Sequence, residues 1–157
     1  MAEEIERKFI IQNYENISHL IPSSFIEIEQ NYLAIGEEEI RIRKIKHANN
    51  HQFLMTIKNG HGMVRKEQEF EITENTYKQI EKSLKKQAIK KRRYHSKKGN
   101  LIIIIDIYIN IDLILLEIEF NSIDEAHDFK NSLFIGEEVT YNENFKNKNL
   151  WKSLNYK

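Results

Sequence analysis

Hydrophobic and polar residues alternate along most of this chain, which is the pattern of β-strands that bury one face. The alternation runs through residues 5–11, 25–34, 40–46, 53–58, 64–72 and 89–94. Turn-forming sequences separate several of these segments, such as the Asn-Gly-His-Gly loop at 59–62 and the Lys-Gly-Asn turn at 98–100. The pattern therefore predicts a series of strands that are joined largely as hairpins.

The segment 101–120 is long enough to cross a membrane, but its acidic residues argue against that. It carries Asp106, Glu117 and Glu119 within a run that is rich in isoleucine and leucine. An acidic side chain at mid-bilayer costs roughly 2.5 to 3.5 kcal/mol on insertion scales. A break at 110–112 instead predicts two further strands of a hairpin, which gives about eight strands in total.

Three segments have the pattern of amphipathic helices. In 73–87 the apolar residues fall on one stripe. The segment 122–133 begins with the Ser-x-x-Glu spacing of a capping box, and 144–155 carries apolar residues that predict a short C-terminal helix packed on the sheet. The large aromatic residues predicted for the core are Phe25, Tyr32, Phe53, Phe129, Phe134 and Trp151.

These elements predict an α+β fold that is mainly antiparallel sheet. About eight strands in hairpin order favour a barrel that closes or nearly closes. The chain has 157 residues, of which 40% are hydrophobic and 31% are charged. This composition is typical of one domain with a substantial core. We therefore expect a single domain over residues 1–157, with helices flanking the sheet.

The charge balance limits the classes of partner. Lys and Arg number 24 and Asp and Glu number 24, so the formal net charge is zero. Such a chain has no general affinity for nucleic acid or membranes, and any anion site must be local.

The absence of cysteine excludes disulfides and thiolate sites and is typical of a reducing compartment. No basic-then-apolar leader opens the chain. We therefore expect a cytoplasmic protein with no nucleic-acid or membrane partner. Its oligomeric state stays open, with a homodimer as one alternative.

In the predicted strands the charged residues recur at every second position, that is, on one parity, and alternate side chains of a strand point to the same face. A solvated face would explain any single strand. However, like charges two residues apart repel each other, so their recurrence on several strands favours a binding site inside the barrel. The charged positions of this parity are Glu4, Glu6, Lys8, Arg41, Arg43, Arg65, Glu67, Glu69, Glu71, Lys91, Arg93, Glu117 and Glu119.

The residue types on this face suit a metal-bound polyphosphate. Carboxylates at positions i and i+2 are about 7 Å apart at the backbone and can converge on one hard cation. Mg²⁺ or Mn²⁺ fits such a site better than zinc, because the chain has no cysteine and its histidines show no ligand spacing. Arginine offers phosphate oxygens a planar fork, and lysine offers them a point charge.

The sequence EIERKF at 4–9 resembles the E-x-E-x-K signature of the CYTH, or triphosphate tunnel metalloenzyme, family. Further matches follow in family order as EIRIRK, TIKNG, VRKEQEFEI, KKRRY, IIDIY, LLEIEF, EEVT and KNKNL. This ordered set spans almost the whole chain and is far more specific than its first motif. Ile103 and Ile104 stand where the family commonly has an aromatic residue, and Asn110 stands where it often has glycine.

The resemblance implies an eight-stranded, closed antiparallel tunnel lined with these charges. It also implies metal-dependent hydrolysis of a small-molecule triphosphate, first of all inorganic tripolyphosphate, by attack of water on a terminal phosphoryl group. The implied cofactor is Mg²⁺ or Mn²⁺. Alternatives on the same scaffold are a thiamine or nucleoside triphosphatase and a class IV adenylate cyclase, which forms cyclic AMP from ATP. A non-catalytic polyphosphate-binding module is a further alternative, although the complete carboxylate set argues against it.

The resemblance assigns roles to individual residues. The carboxylates expected to bind the metal are Glu4, Glu6, Glu117, Glu119 and Asp106. The basic residues expected to bind the phosphate chain are Lys8, Arg41, Arg43, Lys58, Arg65, Lys91 and Arg93. The residues expected to act in catalysis are Glu6, Lys8, Glu67 and Glu69. Whether Glu71 belongs to the site stays open, because the family motif can be placed one register step later.

Overall fold

The computed structural model describes residues 2–131 and 136–157. Within these residues, eight strands form at the predicted places. They are β1 Ala2–Ile10, β2 Ile26–Ile35, β3 Glu39–His47, β4 Asn50–His61, β5 Val64–Glu71, β6 Ile89–Lys98, β7 Leu101–Tyr108 and β8 Ile114–Glu119. The α-helices are α1 Glu74–Leu84, α2 Ile123–Asp128 and α3 Asn147–Asn155.

The strands close into one antiparallel barrel in the order β1-β5-β4-β3-β2-β6-β7-β8, which confirms the predicted fold. β1 closes the barrel, because its residues 2–5 pair with β5 and its residues 6–10 pair with β8. Residues 137–139 pair with the second half of β1, on the edge that faces β5 in its first half. Val139 N donates to Lys8 O at 2.7 Å there. The charged parity of each strand therefore faces a shared interior.

The hairpin between β4 and β5 is tighter than the sequence predicts. The expected loop covers 59–62, but β4 extends to His61 and residues 62–63 alone make the turn. Gly60 lies inside the strand with a φ of 106°, and a Cβ there would lie 2.9 Å from Val64 O. Glycine is needed at this position because of both its backbone conformation and the close approach of the next strand.

Capping explains where α1 begins and ends. The Thr73 hydroxyl accepts a hydrogen bond from Thr76 N at 3.1 Å and caps the first turn. The helix ends at Leu84, before the predicted end at residue 87, because Lys85 adopts the left-handed conformation with a φ of 50°.

The two later helices form at the predicted places with different lengths. Ser122 caps α2 by accepting from Glu125 N at 3.1 Å. α2 ends at Asp128, short of the predicted residue 133, and residues 132 and 133 lie outside the described part of the chain. A 3-10 turn precedes α3 where one continuous helix was expected. None of the described helices is long and apolar enough to cross a bilayer.

One apolar core cluster lies outside the barrel wall. Its members on β1, β7 and β8 have the opposite parity to the charged residues of the same strands. They are Phe9, Ile103, Ile105, Leu116 and Ile118. Ile17 and Leu20, from the short 3-10 turns that follow β1, cover this surface. On β1, β7 and β8, apolar packing therefore supports the wall from the outside, while the charged residues of these strands face the interior.

Most of the predicted core aromatics are buried, with one clear error. Tyr32, Phe53 and Trp151 are buried, and Phe129 is partly buried. Phe25 is 40% exposed because it precedes β2 at the rim of the barrel, where the Arg92 guanidinium lies 4.9 Å from its ring centroid. Phe134 lies outside the described residues.

The barrel interior changes from charged to apolar where α3 covers it. Tyr108 and Leu115 follow the same parity as the acidic residues of β7 and β8, and they pack with Tyr32 and with Trp151 of α3. Trp151 Nε1 also donates to Asn31 Oδ1 at 2.9 Å. The C-terminal helix therefore closes this end of the barrel.

Candidate active site

A cavity of about 130 Å³ lies inside the barrel, and its lining is almost entirely charged. The barrel brings most of the predicted site residues together here from separate strands. The lining residues are Glu4, Glu6, Lys8, Arg41, Arg43, Lys58, Arg65, Glu67, Arg93, Ile104, Glu117 and Asn147.

A wider cavity of about 620 Å³ shares two residues with the inner one and forms an acidic mouth. The shared residues are Glu4 and Glu67, and the mouth adds Glu69 and Glu119. Predicted acidic residues therefore line both the inner cavity and the mouth, while the arginines line only the inner cavity.

Carboxylates face each other where β1 meets β8. Glu6 lies directly opposite Glu119 in the strand register. Burial, together with repulsion from Glu117 and Glu4, raises the pKa of Glu6 to about 8. Burial, Glu4 and Glu117 also raise the pKa of Glu119. Without a cation Glu6 is therefore largely protonated at neutral pH, and a cation bound among the carboxylates of β1 and β8, which form an acidic wall, would favour their ionised form.

Lys8 and Glu117 form an ion pair one step along the same two strands. They are register partners, and their charged groups are 3.5 Å apart. Burial lowers the pKa of Lys8, but Glu117 and Glu6 outweigh it and leave the pKa above its usual value. Burial raises the pKa of Glu117, but Lys8 and Arg93 outweigh it and lower the pKa to about 2. Both members are therefore charged at neutral pH.

Lys58 of β4 bridges the acidic residues of β1 and β5. Its ammonium group lies 2.5 Å from Glu4 Oε2 and 3.2 Å from Glu67 Oε2, and the side chain is buried. Lys58 thus forms ion pairs with two carboxylates of the predicted site.

The inner arginines keep unsatisfied hydrogen-bond donors. Arg43 donates to Glu69, which also accepts from Thr56 Oγ1 at 2.9 Å. Burial and the neighbouring Arg41 lower the pKa of Arg43 to about 10. The buried Nε atoms of Arg41, Arg43 and Arg65 have no hydrogen-bond partner. A buried donor without a partner is costly, so an anion in the cavity would satisfy groups that the protein leaves open.

Asp106 binds two of the predicted phosphate ligands. Its carboxylate accepts from Arg93 Nε and Nη2, both at 2.7 Å, and from Lys91 Nζ at 2.6 Å. Burial raises the pKa of Asp106, but the two cations outweigh it and hold the pKa well below its usual range. Lys91 and Asp106 are each about 1% exposed and are absent from the cavity lining. Both oxygens of Asp106 are therefore occupied by protein cations, an arrangement that differs from the expected metal role.

Comparison with known proteins gives the same picture as the tunnel geometry. The chain is 29% identical over 155 residues to the inorganic triphosphatase of Nitrosomonas europaea, in an alignment that covers 96% of this chain and 98% of that protein. A solved structure of an inorganic triphosphatase has a TM-score of 0.66 at 27% identity, covering 96% of this chain and 95% of the other. The chain is therefore similar to inorganic triphosphatases over almost its whole length, and its barrel matches the fold of the CYTH, or triphosphate tunnel metalloenzyme, family.

More distant solved structures share the CYTH fold. One is a protein of Pyrococcus horikoshii, with a TM-score of 0.65 at 15% identity over 86% of this chain and 92% of that chain. Another is a proposed adenylate cyclase of Bacillus halodurans, with a TM-score of 0.59 at 18% identity over 81% of this chain and 86% of that chain. No family model matches the chain.

The CYTH tunnel contains functional candidates that the sequence reasoning missed. Glu39 is buried on the inner face of β3, two residues before Arg41, so the same alternation could have identified it. Asn147 of α3 lines the cavity and lies in the segment that resembles the family's C-terminal ending. Glu71, left open by the register, is exposed and accepts from Gln52 Nε2 at 2.8 Å.

The CYTH family is generally metal-dependent, and the acidic wall offers only oxygen ligands. Among the described residues, no three or more His, Asp or Glu side chains are already grouped around a metal position. Lys58 instead holds Glu4, and Lys8 holds Glu117. Lys58 contacts Glu4 through Oε2, so a metal ion at Glu4 would either bind the other oxygen or displace this ammonium group.

Proposed function

We propose that this protein hydrolyses the terminal phosphoanhydride bond of a triphosphate, with inorganic tripolyphosphate as its preferred substrate. One observation carries the proposal. A wall of mutually repelling carboxylates lies beside arginines whose buried N–H groups lack acceptors. A metal-bound polyphosphate supplies the positive charge that the first set lacks and the acceptors that the second set lacks. The triphosphatase relatives support the same reaction.

The basic residues bind the phosphate chain. Arg41, Arg43 and Arg65 present guanidinium groups to phosphate oxygens in a site that is shielded from water, where charge-assisted hydrogen bonds are strong. Arg93 lines the same cavity and is oriented by Asp106. We assign Asp106 to positioning Arg93 and the neighbouring Lys91, because its oxygens are already bound to them.

The carboxylates of β1 and β8 would hold the metal, which we propose to be Mg²⁺ or Mn²⁺. Glu4, Glu6 and Glu119 are the first candidates, with Glu117 assisting, and Glu67 and Glu69 serve the same function at the mouth. These side chains fit a hard cation because they are oxygen ligands whose mutual repulsion a cation relieves. When bound, the metal neutralises charge on the transferring phosphoryl group and lowers the pKa of bound water.

Lys8 is suited to orient the attacking water or the terminal phosphate. Glu117 holds its ammonium group inside the cavity, and the same pairing keeps it protonated. The inner cavity thereby holds water and a phosphoryl group in one orientation, which is the main contribution of a protein to phosphoryl transfer. The chemistry needs no covalent intermediate on the enzyme.

The lining favours hydrolysis over cyclisation of ATP. An adenylate cyclase must bind adenine, usually through stacking or an apolar contact. Ile104 is the one apolar residue among the described residues that line the inner cavity, and the others are charged or amide side chains. The inner cavity therefore suits a linear inorganic phosphate chain better than a nucleotide base, and the apolar side chains of Ile5 and Phe120 line the mouth rather than the inner cavity.

A parallel assay tests the proposal. The purified protein is incubated with Mg²⁺ or Mn²⁺ and with tripolyphosphate, thiamine triphosphate or ATP, and both phosphate and cyclic AMP are measured. We expect fast release of phosphate from tripolyphosphate and no cyclic AMP. Cyclic AMP as the main product would move the function to the cyclase. Binding of tripolyphosphate without turnover would favour the non-catalytic module.

Matched glutamates provide the control. Glu6→Gln should abolish metal-dependent release of phosphate, while Glu71→Gln should leave it unchanged because Glu71 is exposed and outside the cavity. Equal loss in both variants would contradict the assignment of the site. The cytoplasmic location and the oligomeric state stay predictions.

A further inference from the structure

Glu39 connects the tunnel to the C-terminal helix. Its side chain is only 7% exposed, on the inner face of β3. The same oxygen, Oε1, lies 2.9 Å from Arg65 Nη2 and 2.9 Å from Lys148 Nζ. Burial raises the pKa of Glu39, but Arg65 and Lys148 outweigh it and leave the pKa below its usual value. One ionised carboxylate is therefore shared by an arginine of the proposed phosphate site and a lysine of α3.

The N-terminal turn of α3 contacts a carboxylate of β3. Lys148 lies in this turn, where a positive charge is disfavoured by the helix dipole. The N-cap residue Lys146 makes no capping hydrogen bond through its side chain, and the first turn has no acidic residue. Glu143, just before the helix, pairs with Lys146 at 2.7 Å, and Glu39 supplies the negative charge that pairs with Lys148. This contact fixes the end of α3 beside Asn147, which lines the cavity.

Arg65 remains able to bind an anion while Glu39 holds it. Its Nη2 lies 2.9 Å from Glu39 Oε1, while its buried Nε has no hydrogen-bond partner. The contact therefore fixes the position of the guanidinium and leaves Nε available to an anion. Burial lowers the pKa of Arg65, but Glu39 outweighs it and keeps this arginine charged.

We propose that Glu39 is a positioning residue that joins Arg65 to α3, so that closure of the tunnel by the helix and binding of the phosphate chain depend on each other. The proposal rests on the proposed function in that it takes Arg65 as a phosphate ligand. Beyond that function, it gives the helix end a direct influence on substrate affinity.

The sign of the effect of Glu39→Gln decides between two roles. If Glu39 only competes with phosphate for Arg65, removing its charge makes the tunnel more positive and tightens binding. If Glu39 positions Arg65 and α3, removing its charge weakens binding. We expect the dissociation constant for tripolyphosphate to rise about tenfold, the scale of one charge-assisted contact.

The experiment measures binding and helix docking separately. Calorimetry gives the dissociation constant for inorganic tripolyphosphate, and hydrogen exchange follows the amides of α3 in the ligand-free protein. The variants are E39Q, K148M and the double variant, with K152M as the control because it removes an exposed lysine charge from the same helix. K148M keeps the test available if E39Q does not fold, because Lys148 is partly exposed.

We expect E39Q and K148M each to weaken binding and to speed exchange in α3, with K152M like the wild type. The double variant should be no weaker than E39Q, because contacting residues are not additive. In steady state, KM should rise more than kcat falls. Tighter binding by E39Q, or unchanged exchange in both single variants, would overturn the proposal.

Failure of the proposed function gives a different result. Wild-type protein that binds tripolyphosphate without hydrolysing it would refute the hydrolase but still allow the comparison of affinities. Wild-type protein that does not bind tripolyphosphate would refute the phosphate role of Arg65 and with it the coupling.

Discussion

Replacing Glu6 with glutamine is expected to stabilise the metal-free protein while it abolishes turnover. The Glu6 side chain is 9% exposed, and its pKa is about 8 in the folded protein against an ordinary value of 4.5. A carboxyl group whose pKa is raised by folding contributes its full stability below the unfolded pKa, and that contribution is lost as the pH rises through the folded value. Relative to acidic pH, ionisation of Glu6 therefore lowers the free energy of unfolding by about 3 kcal/mol at pH 7 and by about 4 to 5 kcal/mol above pH 9.

In E6Q the free energy of unfolding does not decrease in this way as the pH rises, because an amide does not ionise. The free energy of unfolding of E6Q should therefore exceed that of the wild type by about 3 kcal/mol near pH 7, and the two should nearly agree around pH 4.5. Urea titrations of chelator-treated protein at several pH values measure this difference. Excess Mg²⁺ should stabilise the wild type by mass action and have little effect on E6Q.

Two outcomes would refute the reasoning. If both proteins lost the same stability between about pH 5 and pH 9, ionisation of Glu6 would not be the cause. If E6Q kept full metal-dependent activity, Glu6 would not belong to the metal site. The expected combination of higher stability and lost activity is hard to produce by general damage to the fold, since most substitutions destabilise.

Three further substitutions test other contacts. Asp106→Asn should lower the free energy of unfolding by about 3 to 5 kcal/mol, because it leaves two buried cations without their carboxylate. A decrease of less than about 1 kcal/mol in a urea titration would contradict this prediction. Arg43→Lys should raise the KM for tripolyphosphate about tenfold, because lysine lacks the planar fork, while thermal unfolding changes little; an unchanged KM would remove Arg43 from the phosphate site. Trp151→Phe should lower the free energy of unfolding by about 1 to 3 kcal/mol, because it removes the donor to the buried Asn31, and an unchanged melting temperature would show that this hydrogen bond contributes nothing.

The strands were predictable because their signal is local. Alternation with a period of two identifies each strand and also assigns its charged residues to one face, so eight strands and a shared charged interior could be predicted before any pairing was known. The pairing partners of β1 could not be predicted in this way, because its two halves pair with β5 and β8, which are distant in sequence.

The choice of ion partners was not predictable from the pattern. Asp106 was expected to bind metal, yet the register of β6 and β7 sets it directly opposite Arg93, and both of its oxygens are occupied. The alternation in EEEIR places Glu39 on the inner face, but it does not identify its partner, because α3 brings Lys148 to it. Such contacts depend on register and on helix docking, which a single strand's sequence does not encode.

The outer position of the apolar cluster around Phe9 and Ile118 has a consequence for evolution. In a barrel whose lumen holds the core, each change to the binding surface also changes the packing that keeps the chain folded. On β1, β7 and β8 the apolar cluster and the charged cavity lining are opposite faces of the same strands. Mutations can therefore diversify the lumen for new anions while the outer shell maintains the architecture, and the two kinds of change can accumulate separately along one lineage.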